Sequence, residues 1–294
     1  MKIVTKDRLV HSYSSRHEPA ATIAPGERFQ VETHQRFLKD DGLETLTLPV
    51  ESDLTAVTGP VYVTGARAGQ VLKIHIHSID LTDDYGVILS IPGFGMFGES
   101  AKEISRKVVP ITGGYALFSE SIKIPLNPHI GRIATAPANR EVFTADLGDF
   151  GGNMDNTHIC AGATVYLPVL VDGALLVLGD VHACMGDGES NGSGVECSGI
   201  ITLECDLVEG LGITHPIIEN QDEIVVTADG ETLEEACRLA LRSAARLLCD
   251  RLRLGYLDST MLISAACDLR ICQLVNPRVG VKAIVSKKVV GDLL

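Results

Sequence analysis

Between Gly179 and Glu189 the chain reads Gly-Asp-Val-His-Ala-Cys-Met-Gly-Asp-Gly-Glu, which brings Asp180, His182, Asp187 and Glu189 close together among three glycines. Carboxylates and imidazoles are the side chains that bind hard or borderline metals and move protons. Asp180 and His182 are two apart, so on a strand they share a face. They would make a pair of metal ligands, or a carboxylate orienting an imidazole. Asp187 and Glu189 flank Gly188, and Asp-Gly is a strong turn signal. Glu196 lies further along the same glycine-rich stretch. Carboxylates crowded in this way raise one another's pKa unless a cation compensates them. A solvated acidic loop is the bland alternative. The histidine and the dense glycines favour a site.

A second cluster is Gly151-Gly152-Asn153-Met154-Asp155. Asn153 could donate a hydrogen bond to a developing oxyanion, and Asp155 could complete a metal site. His158 is a spare candidate ligand. The intervening segment, Thr164 to Leu178, reads as two strands joined by an Asp172-Gly173 turn. Such a hairpin would bring both clusters to one edge of a sheet. Elsewhere, His75 and His77 alternate with Ile74 and Ile76 beside Lys73, the pattern of a solvated strand face. His129, after Pro128, falls in a turn that could border the site. Ser193 reads as loop, and Gly93 to Gly98 as an apolar loop that either lines a pocket or crosses the surface. Neither a Gly-x-Ser-x-Gly elbow nor a phosphate-binding loop occurs.

These residues need a rigid frame, and Ala174 to Leu178 supplies a buried strand leading into the first cluster. Residues 1–208 read as mainly β, a sandwich or barrel: Val61 to Val63, Val71 to Ile79, Val87 to Ile91, Ser121 to Ile124 and Thr164 to Val171 are short runs rich in β-branched residues. Residues 209–294 read as an α+β portion packed on it. There, Thr232 and Glu235 form a capping box ahead of a helix whose apolar residues run from Leu233 to Leu248 and which Gly255 ends. Asp258 caps a second helix. Ile200 to Leu207, Glu223 to Thr227 and Val279 to Ser286 are strands.

At 294 residues with 45% hydrophobic and 21% charged side chains, the chain is long enough and apolar enough for a substantial core. Its net charge of -13 argues against a nucleic-acid partner and suits a bound cation. Neither a membrane-length apolar run nor a signal-peptide core is present, which points to a cytoplasmic protein with no membrane association. The eight cysteines are expected as free thiols.

Together these motifs resemble the acetamidase/formamidase family of amide hydrolases. The resemblance rests on residues 151–155 and 179–189. It is supported by Gly59-Pro60-Val61-Tyr62-Val63, Asn127-Pro128-His129-Ile130-Gly131 and Asp268-Leu269-Arg270-Ile271. It implies hydrolysis of a short-chain amide to carboxylate and ammonia, a β-rich fold, divalent cations such as zinc or calcium, and a homo-oligomer, dimer or tetramer. Asn153, Asp155, Asp180, His182, Asp187, Glu189 and Glu196 match the motif positions. The expected scheme places a divalent cation on Asp155, Asp180 and His182, with Asp187 and Glu196 as further ligands. Glu189 is the general base, and Asn153 and His182 assist. The chain departs from the family pattern after Glu32-Thr33, where His34-Gln35 stand and Asp40 and Asp41 follow only later, and at Phe150, where histidine is frequent. The rival readings are a calcium-holding protein without catalysis and a hydrolase of a bulkier or cyclic amide.

Overall fold

The computed structural model describes residues 1–34 and 55–294. Of the departures named above, His34 and Phe150 fall within it, while Gln35, Asp40 and Asp41 lie outside the described residues.

The protein is mostly β. A nine-stranded sheet runs, in spatial order, through Lys2–Val4, Arg28–Glu32, Gly199–Val208, Val71–Leu81, Thr164–Pro168, Ile217–Glu219, Glu223–Gly230, Val279–Ser286 and Cys267–Gln273. A second large sheet is built around Leu176–His182 and its partners His129–Ala134, Glu196–Cys197 and Val57–Val63. Alternation explains why the two sheets face each other. In Val71–Leu81 the residues Leu72, Ile74 and Ile76 are fully buried while Lys73, His75 and His77 are part-exposed. The buried set joins Phe29, Val31 and Leu203 of its own sheet, and Ile130, Ile133, Leu176 and Leu178 of the other, in one core. Sheets that each bury one face in this manner stack as a sandwich. His75 and His77 bond to Thr164 and Glu204 on the outer face, as the pattern indicates.

The nine-stranded sheet continues without a break across residue 209; what changes there is the covering layer. Helix α1 (Leu233–Leu252) lays Ala236, Ala240, Ala244 and Leu247 on Ile224, Val226, Val281 and Ala283. The small residues let the helix approach the sheet closely. Thr232 is its N-cap and accepts from Glu235 N at 3.2 Å. The return bond of the capping box goes to Glu231 N instead. Helix α1 ends at Arg253, whose φ of 55° turns the chain. Gly255 is the N-cap of α2 (Tyr256–Ala266), and Asp258 sits in that helix's first turn, not at its cap. Since α1 covers one face of Val279–Ser286, the alternate residues Gly280, Lys282 and Ile284 face the other way, toward the acidic loop.

The expected hairpin over Thr164 to Leu178 does not exist. Thr164–Pro168 belongs to the nine-stranded sheet and Leu176–His182 to the other. The segment between them crosses from one layer to the next. Gly173 makes the turn at φ 80°, where a Cβ would meet the Tyr62 ring at 2.1 Å. Among the described residues, no helix is long and apolar enough to cross a membrane, and all eight cysteines are free thiols.

Candidate functional site

Three neighbouring strands, rather than a hairpin, unite the two glycine-rich clusters. His129–Ala134 lies between Gly151–Asn153 on one side and Leu176–His182 on the other. Register sets His129 opposite His182, and Arg132 opposite both Gly179 and Asn153. On the far edge of Leu176–His182, Glu196 pairs with His182. Gly131 sits at the centre of this arrangement. A Cβ there would lie 2.6 Å from Asp155 Oδ1 and 3.0 Å from Asp180 Cγ. The missing side chain is the space in which these two carboxylates converge.

His182 is the hub. Its Nε2 lies 3.3 Å from Asp180 Oδ1 and 3.1 Å from Glu196 Oε1, and its ring is fully buried. Two overlapping sets have ligand atoms within 4.8 Å of one another: Asp155, Asp180 and His182, and His182, Glu189 and Glu196. The imidazole is oriented from behind. His129 Nδ1 lies 2.8 Å from Asn127 O, which can only accept, so Nδ1 carries the proton and Nε2 presents a lone pair. That lone pair lies 3.2 Å from His182 Nδ1, which therefore donates to it. The network leaves His182 Nε2 aimed into the acidic cluster, the arrangement seen when a second ring nitrogen is tied down behind a metal-binding one. Arg132 Nε approaches Asp180 Oδ2 at 3.4 Å. Asn276 Nδ2 donates to Asp155 Oδ2 and to Asn153 O, both at 3.0 Å. Asp155, Asp180 and Glu189 all hold positive φ, at 45°, 62° and 43°. Non-glycine residues adopt that region at a cost of about 1–3 kcal/mol each, and such residues cluster at functional sites.

Electrostatics follow from burial. Asp155, Asp180, Glu189 and Glu196 are all under a tenth exposed. Burial, then Asp180, raises Asp155 to about 6. Burial, then Asp155, pushes Glu189 well above the ordinary carboxylate range. For His182 burial works against the charged form, but Glu196 and Asp180 outweigh it and hold the imidazole well above its usual value. His129 moves the other way, to about 3, through burial and then the neighbouring His182. Without a cation, the cluster thus takes up protons to limit its own repulsion.

Other expected site residues lie elsewhere. Asp187 is outside both sets: its Oδ1 accepts from the fully buried Lys282 Nζ at 2.5 Å and from Thr157 Oγ1 at 2.9 Å. Lys282 thereby pins the acidic loop to the nine-stranded sheet, with help from Gly188 N to Cys272 O at 2.9 Å and Leu274 N to Gly188 O at 3.1 Å. His158 pairs with Glu223 at 3.1 Å, away from the cluster. Asn153 is buried beside the cluster, and its Oδ1 receives no hydrogen bond. Sequence reasoning overlooked Arg132, Gly131, Asn276 and Lys282. For two of them a signal existed: Arg132 and Lys282 are single cations inside otherwise apolar strands, where a charge is tolerated only if paired.

The acetamidase/formamidase family profile matches residues 5–146 and 143–286. The fold is similar to that of an acetamidase from Bacillus halodurans, with a TM-score of 0.93 and 33% identity over 99% of each chain. It is also similar to an acetamidase from Yersinia enterocolitica, with a TM-score of 0.90 and 26% identity over 99% of this chain and 93% of that one. A formamidase of Methylophilus methylotrophus is 23% identical over 266 residues, 68% of this chain and 65% of the relative.

Two outcomes follow from the geometry. The raised folded-state value of Asp155, about 6, favours folding while the group is protonated. That contribution is complete below the unfolded value near 4 and is lost as pH rises through about 6. Glu189 acts in the same direction. Cation-free protein should therefore lose melting temperature between about pH 4 and pH 6 relative to Asp155→Asn, and zinc, tested as a candidate ligand, should restore more at the upper end, because protons and cation compete for the same carboxylates. Parallel melting curves for the two proteins would refute this. Second, Gly131→Ala should destabilise by about 1–3 kcal/mol through overpacking and weaken cation binding about tenfold or more. Unchanged affinity in calorimetric titration would show that the carboxylates do not need that space.

Proposed function

This chain belongs to the acetamidase/formamidase family, and on that premise we propose that it hydrolyses a short-chain primary amide to a carboxylate and ammonia at the His182 cluster, assisted by a divalent cation. The observation that carries this reading is the convergence of four buried carboxylates on one oriented imidazole, with Glu189 also lining an adjoining cavity.

The residues fit a cation. Asp155 Oδ1 and Asn153 Oδ1 are buried and receive no hydrogen bond, and Gly131 leaves room between Asp155 and Asp180. Asp155, Asp180 and His182 would hold the ion, with Glu196 and Glu189 on its other side. His182 offers a single free nitrogen, so it serves one ion, not two. Both sets contain that imidazole, which favours zinc over calcium, whose six to eight ligands are all oxygen. When bound, the cation supplies Lewis-acid polarisation and lowers the pKa of water.

The protein's own groups supply the remaining steps. Glu189 takes a proton from water as the water oxygen joins the carbonyl carbon. It then gives that proton to the amide nitrogen as the C–N bond breaks. The acyl carbon leaves as carboxylate, and its remaining proton goes to the departing ammonia. A carboxyl whose pKa lies well above the ordinary range, as burial sets Glu189, can hold a proton between the two transfers near neutral pH. Asn153 Nδ2 donates to the developing oxyanion. Arg132 anchors Asp180, and His129 keeps His182 in the tautomer with its proton on Nδ1. Asp187 acts at a distance, by fixing the loop that carries Glu189.

Purified protein should release ammonia from at least one simple amide, and chelation should suppress the release. Glu189→Gln should lower kcat about 100-fold or more without loss of bound cation. Activity that survives complete cation removal would dismiss the assisted mechanism, and a Glu189→Gln protein of unchanged turnover would remove that residue from its role.

A further inference from the structure

Beside the acidic cluster lies a cavity of about 470 Å³ that the hydrolysis of formamide or acetamide leaves unexplained. Its walls are mainly apolar: Ile88, Phe97, Ile124, Met185 and Val195 face it, and Glu189 closes it on the side of the site. The cavity and the imidazole are one residue apart. Gly194 lines the cavity, donates its N–H to Glu196 Oε1 at 3.1 Å, and packs so closely on His182 that a Cβ there would lie 3.1 Å from the ring's Cγ. Of the groups proposed to do the chemistry, Glu189 is the one that lines this space, and the Gly194 backbone stands between it and His182.

Size and polarity both bear on the substrate. A water molecule takes up about 30 Å³ in the liquid, so the cavity corresponds to roughly fifteen waters. Formamide or acetamide would leave most of it wet, against walls that are mostly apolar although Asn127, Asp187, Ser190, Asn191 and Ser193 also line them. An apolar group there would displace that water and be held by contact with Ile88, Ile124 and Val195. Binding energy from such a remote group raises the rate when it is spent on positioning the reacting end.

We propose that the substrate is a primary amide with an unbranched apolar acyl chain of about four to six carbons, which with its amide group fills roughly half of this volume. The chain lies along Ile88, Ile124, Met185 and Val195, and the amide carbonyl sits at Glu189. Phe97, on the exposed rim, covers the far end of the chain. This inference rests on the amide-hydrolysis reading of the site.

The test is kcat/KM of the full-length protein for formamide, acetamide, butyramide and hexanamide. Each buried methylene is expected to raise kcat/KM about fourfold, so the value climbs from acetamide to hexanamide. Ile124→Asn, which puts a polar amide on the cavity wall, should lower the hexanamide-to-acetamide ratio about tenfold. Phe97→Ser, at the exposed rim, should lower the same ratio with less risk to folding. If formamide or acetamide is the best substrate and the rate falls with each methylene, the inference is overturned while the amidase reading stands. If no amide in the series is hydrolysed, the amidase reading itself fails.

Discussion

Four carboxylates, those of Asp155, Asp180, Glu189 and Glu196, are buried around the single imidazole of His182, and the rest of the structure serves to keep them there. Against four negative charges the cluster sets one guanidinium, Arg132, and at most one imidazolium, His182. Even with both cationic, two negative charges are left over. Buried charge in excess is intolerable without compensation, because desolvation costs several kcal/mol per ion. Two protons would balance it; a divalent cation held by His182 Nε2 needs that imidazole neutral and would leave one negative charge, which one further proton would balance. The raised values of Asp155 and Glu189 are the proton solution. The cation solution uses the same oxygens, and the two compete. The protonation state of Glu189 is therefore tied to what occupies the cluster, and a carboxyl balanced in that way can act as both acceptor and donor of a proton.

The fold explains how such a cluster persists. Most of its members lie on adjacent strands or just past their ends: Asp155, Asp180, His182 and Glu196 are placed by register around His129–Ala134. Strand positions hold geometry more tightly than loops. Glu189 is the exception, and its loop is tied down by the buried Lys282–Asp187 pair and by backbone bonds to Cys272 and Leu274. Those ties come from the C-terminal strands, as does Asn276 on Asp155. The segment from Cys272 to Lys282 therefore acts as a clasp on carboxylates and an imidazole that come from residues 155–196. The left-handed backbone of Asp155, Asp180 and Glu189 is a local cost that this support sustains.

Much of this was legible in the sequence. Asp180 and His182 do lie on one strand with their side chains 3.3 Å apart, although the left-handed backbone of Asp180 interrupts simple alternation there, and the alternation in Val71–Leu81 gave its buried side correctly. The helix start at Thr232 followed from its side chain. The failures have physical causes. The Asp172-Gly173 turn signals only a local reversal; a chain that reverses there can pair with itself or pass to another layer, and the long-range partners decide. Helix ends were misplaced because Arg253, not glycine, takes the left-handed position. Asp187 has the residue type and spacing of a ligand, but its partner Lys282 lies 95 positions away. Gly131 and Arg132 were hidden for the same reason: their meaning depends on neighbours across the sheet.

The most direct test of the compensation argument is anomalous diffraction from crystals grown with zinc at neutral pH. A strong peak is expected within bonding distance of Asp155, Asp180 and His182 Nε2, with Asp187 still on Lys282. A cluster without a peak, in which Asp155 and Glu189 instead share a proton through a short hydrogen bond, would contradict it.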